Sequence, residues 1–95
     1  MDGPPRNDLE RMMLTYQGDV GGLEKQITDY IAPRFANRDE LERKLLEAGF
    51  KPLGKVENCD FFRYDEETVQ FKPVLFVGVS LCETDWRVTT ALTFL

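Results

Sequence analysis

From Cys59 to Phe94, apolar and polar residues alternate in three runs separated by turn-forming stretches. This alternation constrains the chain more than any other feature, because a one-residue slip of a strand throws its whole apolar set onto the wrong face. The runs are Cys59 to Asp65, Val74 to Cys82 and Trp86 to Phe94. Antiparallel pairing of the first two, centred near Gln70–Phe71, sets Phe62 opposite Val79 and Tyr64 opposite Val77. Leu75 and Leu81 extend the same face. A tight loop at Glu83-Thr84 then adds Trp86, Val88, Thr90, Leu92 and Phe94 to it. A short extended piece around Leu53 to Glu57 makes the count three or four strands.

A sheet with one apolar face needs cover, and the N-terminal half carries helical stripes. Asn7 stands three residues before Glu10, a capping-box spacing, and Leu9, Met12, Met13 and Tyr16 follow at helical intervals up to Gly18. Leu23, Ile27, Tyr30 and Ile31 form a second stripe, which Pro33 ends; Gly21-Gly22 weakens its start. A third helix begins at the N-cap Asn37 with Asp39 and Glu40 in its first turn. It presents Leu41, Leu45 and Ala48, with Leu46 flanking, and closes at Gly49, with Phe50 packing back on Leu45. The expected fold is α+β and two-layered. N-terminal helices pack on one face of a three- to four-stranded antiparallel meander. Residues 1–6, with Gly3, Pro4 and Pro5, form a flexible tail, and residues 7–95 form one domain.

The same register places Phe61, Arg63, Phe76, Gly78, Ser80, Arg87, Thr89, Ala91 and Thr93 on the other face. Aromatic residues and Arg are enriched in binding hot spots, so Phe61, Arg63, Phe76 and Arg87 are the candidate partner-binding residues. The competing reading is a covered face, or single exposed apolar residues without a role. Cys59 falls opposite Cys82. Two readings stay open there: a cross-strand disulfide in an oxidising compartment, or two reduced thiols in a cytosolic protein.

The chain has 12 basic and 17 acidic residues, a net charge of −5, and no basic run. That argues against direct nucleic-acid binding and against docking on an anionic membrane, and it permits a basic protein partner. No apolar run is long enough to span a bilayer; the longest, Val74 to Cys82, is interrupted by Gly78 and Ser80. The opening residues MDGPPRND do not form a signal peptide. Met1 reads either as the start of a cytoplasmic protein or as a start Met in place of a removed leader.

The chain has no histidine. The commonest general base, the commonest metal ligand and every Ser-His or Cys-His pair are therefore excluded. Cys59 and Cys82 form no CxxC motif, Gly18 to Gly22 lacks the Lys-Ser/Thr of a phosphate loop, and Asp65-Glu66-Glu67 lacks calcium-loop spacing. No metal, cofactor or enzymatic activity is expected.

Three segments carry a resemblance. They are the helix end Asn37-Arg38-Asp39-Glu40-Leu41…Leu45-Leu46-Glu47-Ala48-Gly49-Phe50, the strand Phe61-Phe62-Arg63-Tyr64, and the two-strand hairpin after it. Over roughly Asp19 to Leu95 this order resembles small bacterial envelope domains of the outer-membrane assembly lipoprotein (SmpA/OmlA) and β-lactamase-inhibitor-protein-like group. The resemblance implies two helices on a three-stranded meander that acts by protein–protein contact. The chain differs from that group in Gly21-Gly22, in its additional N-terminal helix and in having no lipid-bearing Cys near Met1. The leading expectation is a non-enzymatic protein-interaction domain of a bacterial cell envelope that binds through the second sheet face. The alternative is a small acidic intracellular inhibitor or immunity-type protein. It would block a basic surface with Asp39, Glu40, Glu42 and Glu47.

Overall fold

A computed structural model describes residues 4–65 and 74–93. Three α-helices precede a four-stranded antiparallel sheet, which makes the fold α+β. The helices are α1 (Asp8–Thr15), α2 (Val20–Ile31) and α3 (Arg38–Glu47), with a 3-10 turn over Ala32–Arg34. The strands are β1 (Lys51–Val56), β2 (Cys59–Asp65), β3 (Val74–Leu81) and β4 (Trp86–Thr93), in the meander order β1-β2-β3-β4. Contacts divide the chain into two compact units, Met1–Gly49 and Phe50–Leu95. Of the expected tail, residues 1–3 lie outside the described residues. So do the expected turn residues 66–73 and Phe94.

In the helical unit, Leu9, Met13, Leu23, Ile27, Ile31, Leu41 and Leu45 are fully buried, all of them among the residues that the helical spacing marks; Met12 and Tyr16, marked as well, are half-buried, and Leu46 is exposed. Asn7 caps α1 by accepting the Glu10 N–H at 2.9 Å. The Glu10 carboxylate turns to Arg6, accepting its backbone N–H at 2.6 Å and its guanidinium at 2.8 Å. These bonds hold the carboxyl below the ordinary carboxylate range. The Asn7 amide donates to the Lys44 carbonyl and to the Glu47 carboxylate, both at 3.0 Å, so one residue also ties α1 to the last turn of α3.

The glycine pair does not delay α2. Asp19 caps the helix by accepting from the Gly22 N–H at 2.9 Å, and a Cβ at residue 22 would run into that carboxylate. Pro33 ends α2 as expected and lies in the 3-10 turn. At α3 the expected start stands, with Asp39 and Glu40 in the first turn. Asn37 occupies the N-cap position but makes no side-chain bond to the backbone; its amide donates to the Glu40 carboxylate at 2.8 Å. Gly49 takes φ +106°, the left-handed closure expected of it.

In the sheet unit the register is the one the alternation requires: Phe62 pairs with Val79, Tyr64 with Val77, and Val79 with Val88. Leu75, Val77, Val79, Leu81, Phe62 and Val88 are buried. Phe50 is buried too, its ring 5.7 Å from that of Tyr64. The extended piece around Leu53 is a full strand, exposed along its whole length. Glu57 (φ +52°) and Asn58 (φ +73°) join it to β2. Two consecutive positive φ values give the left-handed turn that suits a two-residue hairpin. Among the described residues, no helix is long and apolar enough to cross a membrane.

Candidate functional site

The second sheet face is organised in cross-strand rows. One row runs Gly54–Phe61–Ser80–Arg87, the next Lys51–Arg63–Gly78–Thr89, and a third Asp65–Phe76–Ala91. The central strand β3 contributes only Gly78 and Ser80 to the first two rows. Large side chains stand on both sides of it: Phe61 and Arg63 on β2, and Arg87 on β4. The short floor between tall walls leaves a groove of about 280 Å³. Phe61, Arg63, Phe76 and Arg87, the four residues picked out by strand parity, all line it.

Two local devices shape the walls. The β1–β2 pairing shifts between Pro52 and Gly54, where Gly54 takes φ +109°, a conformation other L residues rarely adopt. Leu53 is the extra residue of this bulge. It lines the groove, is 62 % exposed, and lies near Phe61, itself 37 % exposed. Bulges re-aim side chains in this way at sheet edges. The second device holds Arg63. Its guanidinium lies 4.3 Å from the centroid of the Phe76 ring, and its Nε donates to the Asp65 carboxylate at 3.0 and 3.1 Å. Two contacts from different directions fix this long side chain in advance of any ligand.

The edge of the Phe76 ring lies beside Gly78, where an added Cβ would meet its Cε1 at 3.6 Å. Gly in the interior of a central strand weakens a sheet, and it often marks close approach of a ligand or another backbone. A disulfide joins Cys59 and Cys82. Continuing the β2–β3 register by one pair puts it on the same face, one row from Phe61 and Ser80. It staples the β1–β2 turn to the β3–β4 turn, which the Cys82 N–H closes by donating to the Asp85 carbonyl at 2.8 Å.

Leu53, Lys51 and the floor residues were not among the candidates drawn from the sequence. Leu53 escapes because a bulge breaks the alternation that parity reasoning relies on. Lys51 escapes because a strand that buries nothing leaves no apolar pattern. The Pro52-Leu53-Gly54 triplet is the signal that could have flagged both.

Three of the four candidate carboxylates of α3, Glu40, Glu42 and Glu47, are engaged within their own unit. Glu40 accepts from Asn37, Glu42 lies 3.2 Å from Arg38, and Glu47 accepts from Asn7 and lies 3.7 Å from Lys44.

No known family, curated protein or solved structure matches the chain.

Proposed function

We propose that the second sheet face is a protein-recognition surface and that the chain acts by contact, not catalysis. The observation that carries this reading is the convergence of Phe61, Phe76 and Leu53 with Arg63 and Arg87 around one groove floored by Gly78 and Ser80. Aromatic and Arg side chains flanking a concave apolar patch are the usual composition of interface hot spots. A chain without histidine, whose two cysteines are joined to each other, holds few groups for acid–base or nucleophilic work.

The disulfide supports an oxidising compartment, and with the sequence resemblance it favours a bacterial envelope over the cytosol. The rival reading assigns binding to the acidic face of α3. The internal pairing of Glu40, Glu42 and Glu47 favours the sheet face over it.

The test compares the oxidised protein with its Phe61→Ala/Arg63→Ala variant as baits in extracts of its native host. The proteins retained by the wild type should be lost from the variant, while far-ultraviolet circular dichroism and the urea midpoint stay close to wild type. Identical captured sets from two folded baits would refute the sheet-face assignment. Loss on Asp39→Asn/Glu40→Gln instead would move the site to α3.

A further inference from the structure

Resting on the reading of the sheet face as a recognition surface, we infer that the groove's occupant is an acidic peptide segment. In this segment, carboxylates flank one aromatic or branched aliphatic side chain.

Charge complementarity carries the argument. The chain as a whole has 17 acidic residues against 12 basic. Among the described residues, the groove lining reverses that balance, with Arg63 and Arg87 and no carboxylate. Lys51 stands directly opposite Arg63 in the β1–β2 register, on the same face. Like charges paired across strands destabilise a sheet; Asp65 balances Arg63, and the row that Lys51 shares with it holds no carboxylate. Among the described strand residues, Asp65 is the carboxylate on this face, and it lies at the end of β2. Asp65 is taken up by Arg63. Arg87 forms no ion pair among the described residues, so its fork-shaped donor set is open to a bidentate carboxylate.

The apolar half of the recognition follows from the same rows. Gly78 and Ser80 leave room above β3 for an inserted side chain. Phe61, Phe76 and Leu53 supply apolar contact on its flank. A volume of about 280 Å³ suits one or two side chains of a segment lying along the trough. Arg63 on β2 and Arg87 on β4 are not in the same cross-strand row: Arg63 pairs with Gly78, and Ser80 with Arg87. The two cations therefore sit diagonally across the groove, and a segment crossing it meets one on each side of the buried side chain.

The test is selection of a random peptide library on the oxidised full chain, followed by affinity measurement on individual peptides. Selected peptides should combine Asp or Glu with an adjacent Phe, Trp, Leu or Ile. Their affinity should fall at least tenfold on Arg87→Gln and on Gly78→Val, which fills the floor. It should also fall at least fivefold between 50 and 500 mM NaCl. Basic or uncharged peptides that are still lost on Gly78→Val would overturn the acidic occupant while leaving the face as a binding surface. Peptides indifferent to both substitutions, or no selected peptide at all, would overturn both readings. Sedimentation velocity of the free protein is the second arm. Self-association abolished by Arg87→Gln would assign the groove to a second copy of this chain and overturn the peptide proposal.

Discussion

Removing the disulfide gives the most quantitative check on how the sheet unit is held. Cys59 and Cys82 are 23 residues apart in sequence. On the chain-entropy model, closing a loop of that length takes about 11.5 cal/mol/K from the unfolded ensemble, or about 3.4 kcal/mol at 25 °C. A domain of this size is stable by only about 5–15 kcal/mol, so Cys59→Ala/Cys82→Ala should remove a large share of its stability. The expected fall in Tm is roughly 14–27 °C, at about 4–8 °C per kcal/mol. The assay is urea unfolding followed by the fluorescence of Trp86, the only Trp in the chain. Trp86 pairs with Leu81, next to Cys82, so it reports on the stapled end of the sheet. If the bond acts on the unfolded chain, the m-value should rise in the variant as well, because an unlinked chain exposes more surface on unfolding. A difference below about 1 kcal/mol with an unchanged m-value would refute the entropic account.

Three further outcomes rest on local features of the chain. Gly78→Ala should stabilise the protein by about 0.5–1 kcal/mol, because Gly is costly in a strand and the new Cβ meets Phe76 at an ordinary 3.6 Å; a lower urea midpoint would contradict this. Glu57→Asn/Asn58→Gly should raise Tm by roughly 4–8 °C, since it removes about 1 kcal/mol of left-handed strain at Glu57; an unchanged Tm in thermal unfolding would sink the turn assignment. The Glu10 carboxyl is lowered chiefly by its side-chain bond to Arg6, so its contribution is present above the ordinary carboxylate range and lost as pH falls through its folded value. Glu10→Gln should therefore cost up to about 1 kcal/mol at pH 7, and the gap should close in urea titrations below about pH 4. A gap that persists in acid would rule out an ionic origin.

The parts of this fold that were legible in the sequence are those where burial forces a pattern. Phe62, Val77, Val79 and Leu81 are buried on one face, so β2 and β3 had only one register that kept them there. That register carried Phe61, Arg63, Phe76 and Arg87 to the opposite face as a consequence. β1 was read only as a short extended piece, because an edge strand exposed at every position is under no pressure to alternate. Its turn was faint as well: Glu57 holds the position where Asn or Asp would announce a left-handed turn. The start of α3 was legible because Asn37 at the N-cap is followed by Asp39 and Glu40 in the first turn; that its side chain bonds the Glu40 carboxylate and not the backbone is a matter of side-chain rotamer, which spacing does not encode.

The groove was the hardest feature to anticipate because side chains that are missing create it. Parity puts Gly78 and Ser80 on the second face, but it does not say that their shortness matters until Phe61, Arg63 and Arg87 are seen rising on either side. A central strand built for stability alone would carry a β-branched residue at position 78, where a Cβ fits without strain. The chain keeps Gly there and sets Lys51 opposite Arg63 in the same row. Two departures from sheet-forming rules in one row, on the face that holds the aromatic and Arg side chains, fit the proposal that this face is a recognition surface held at some cost to the sheet.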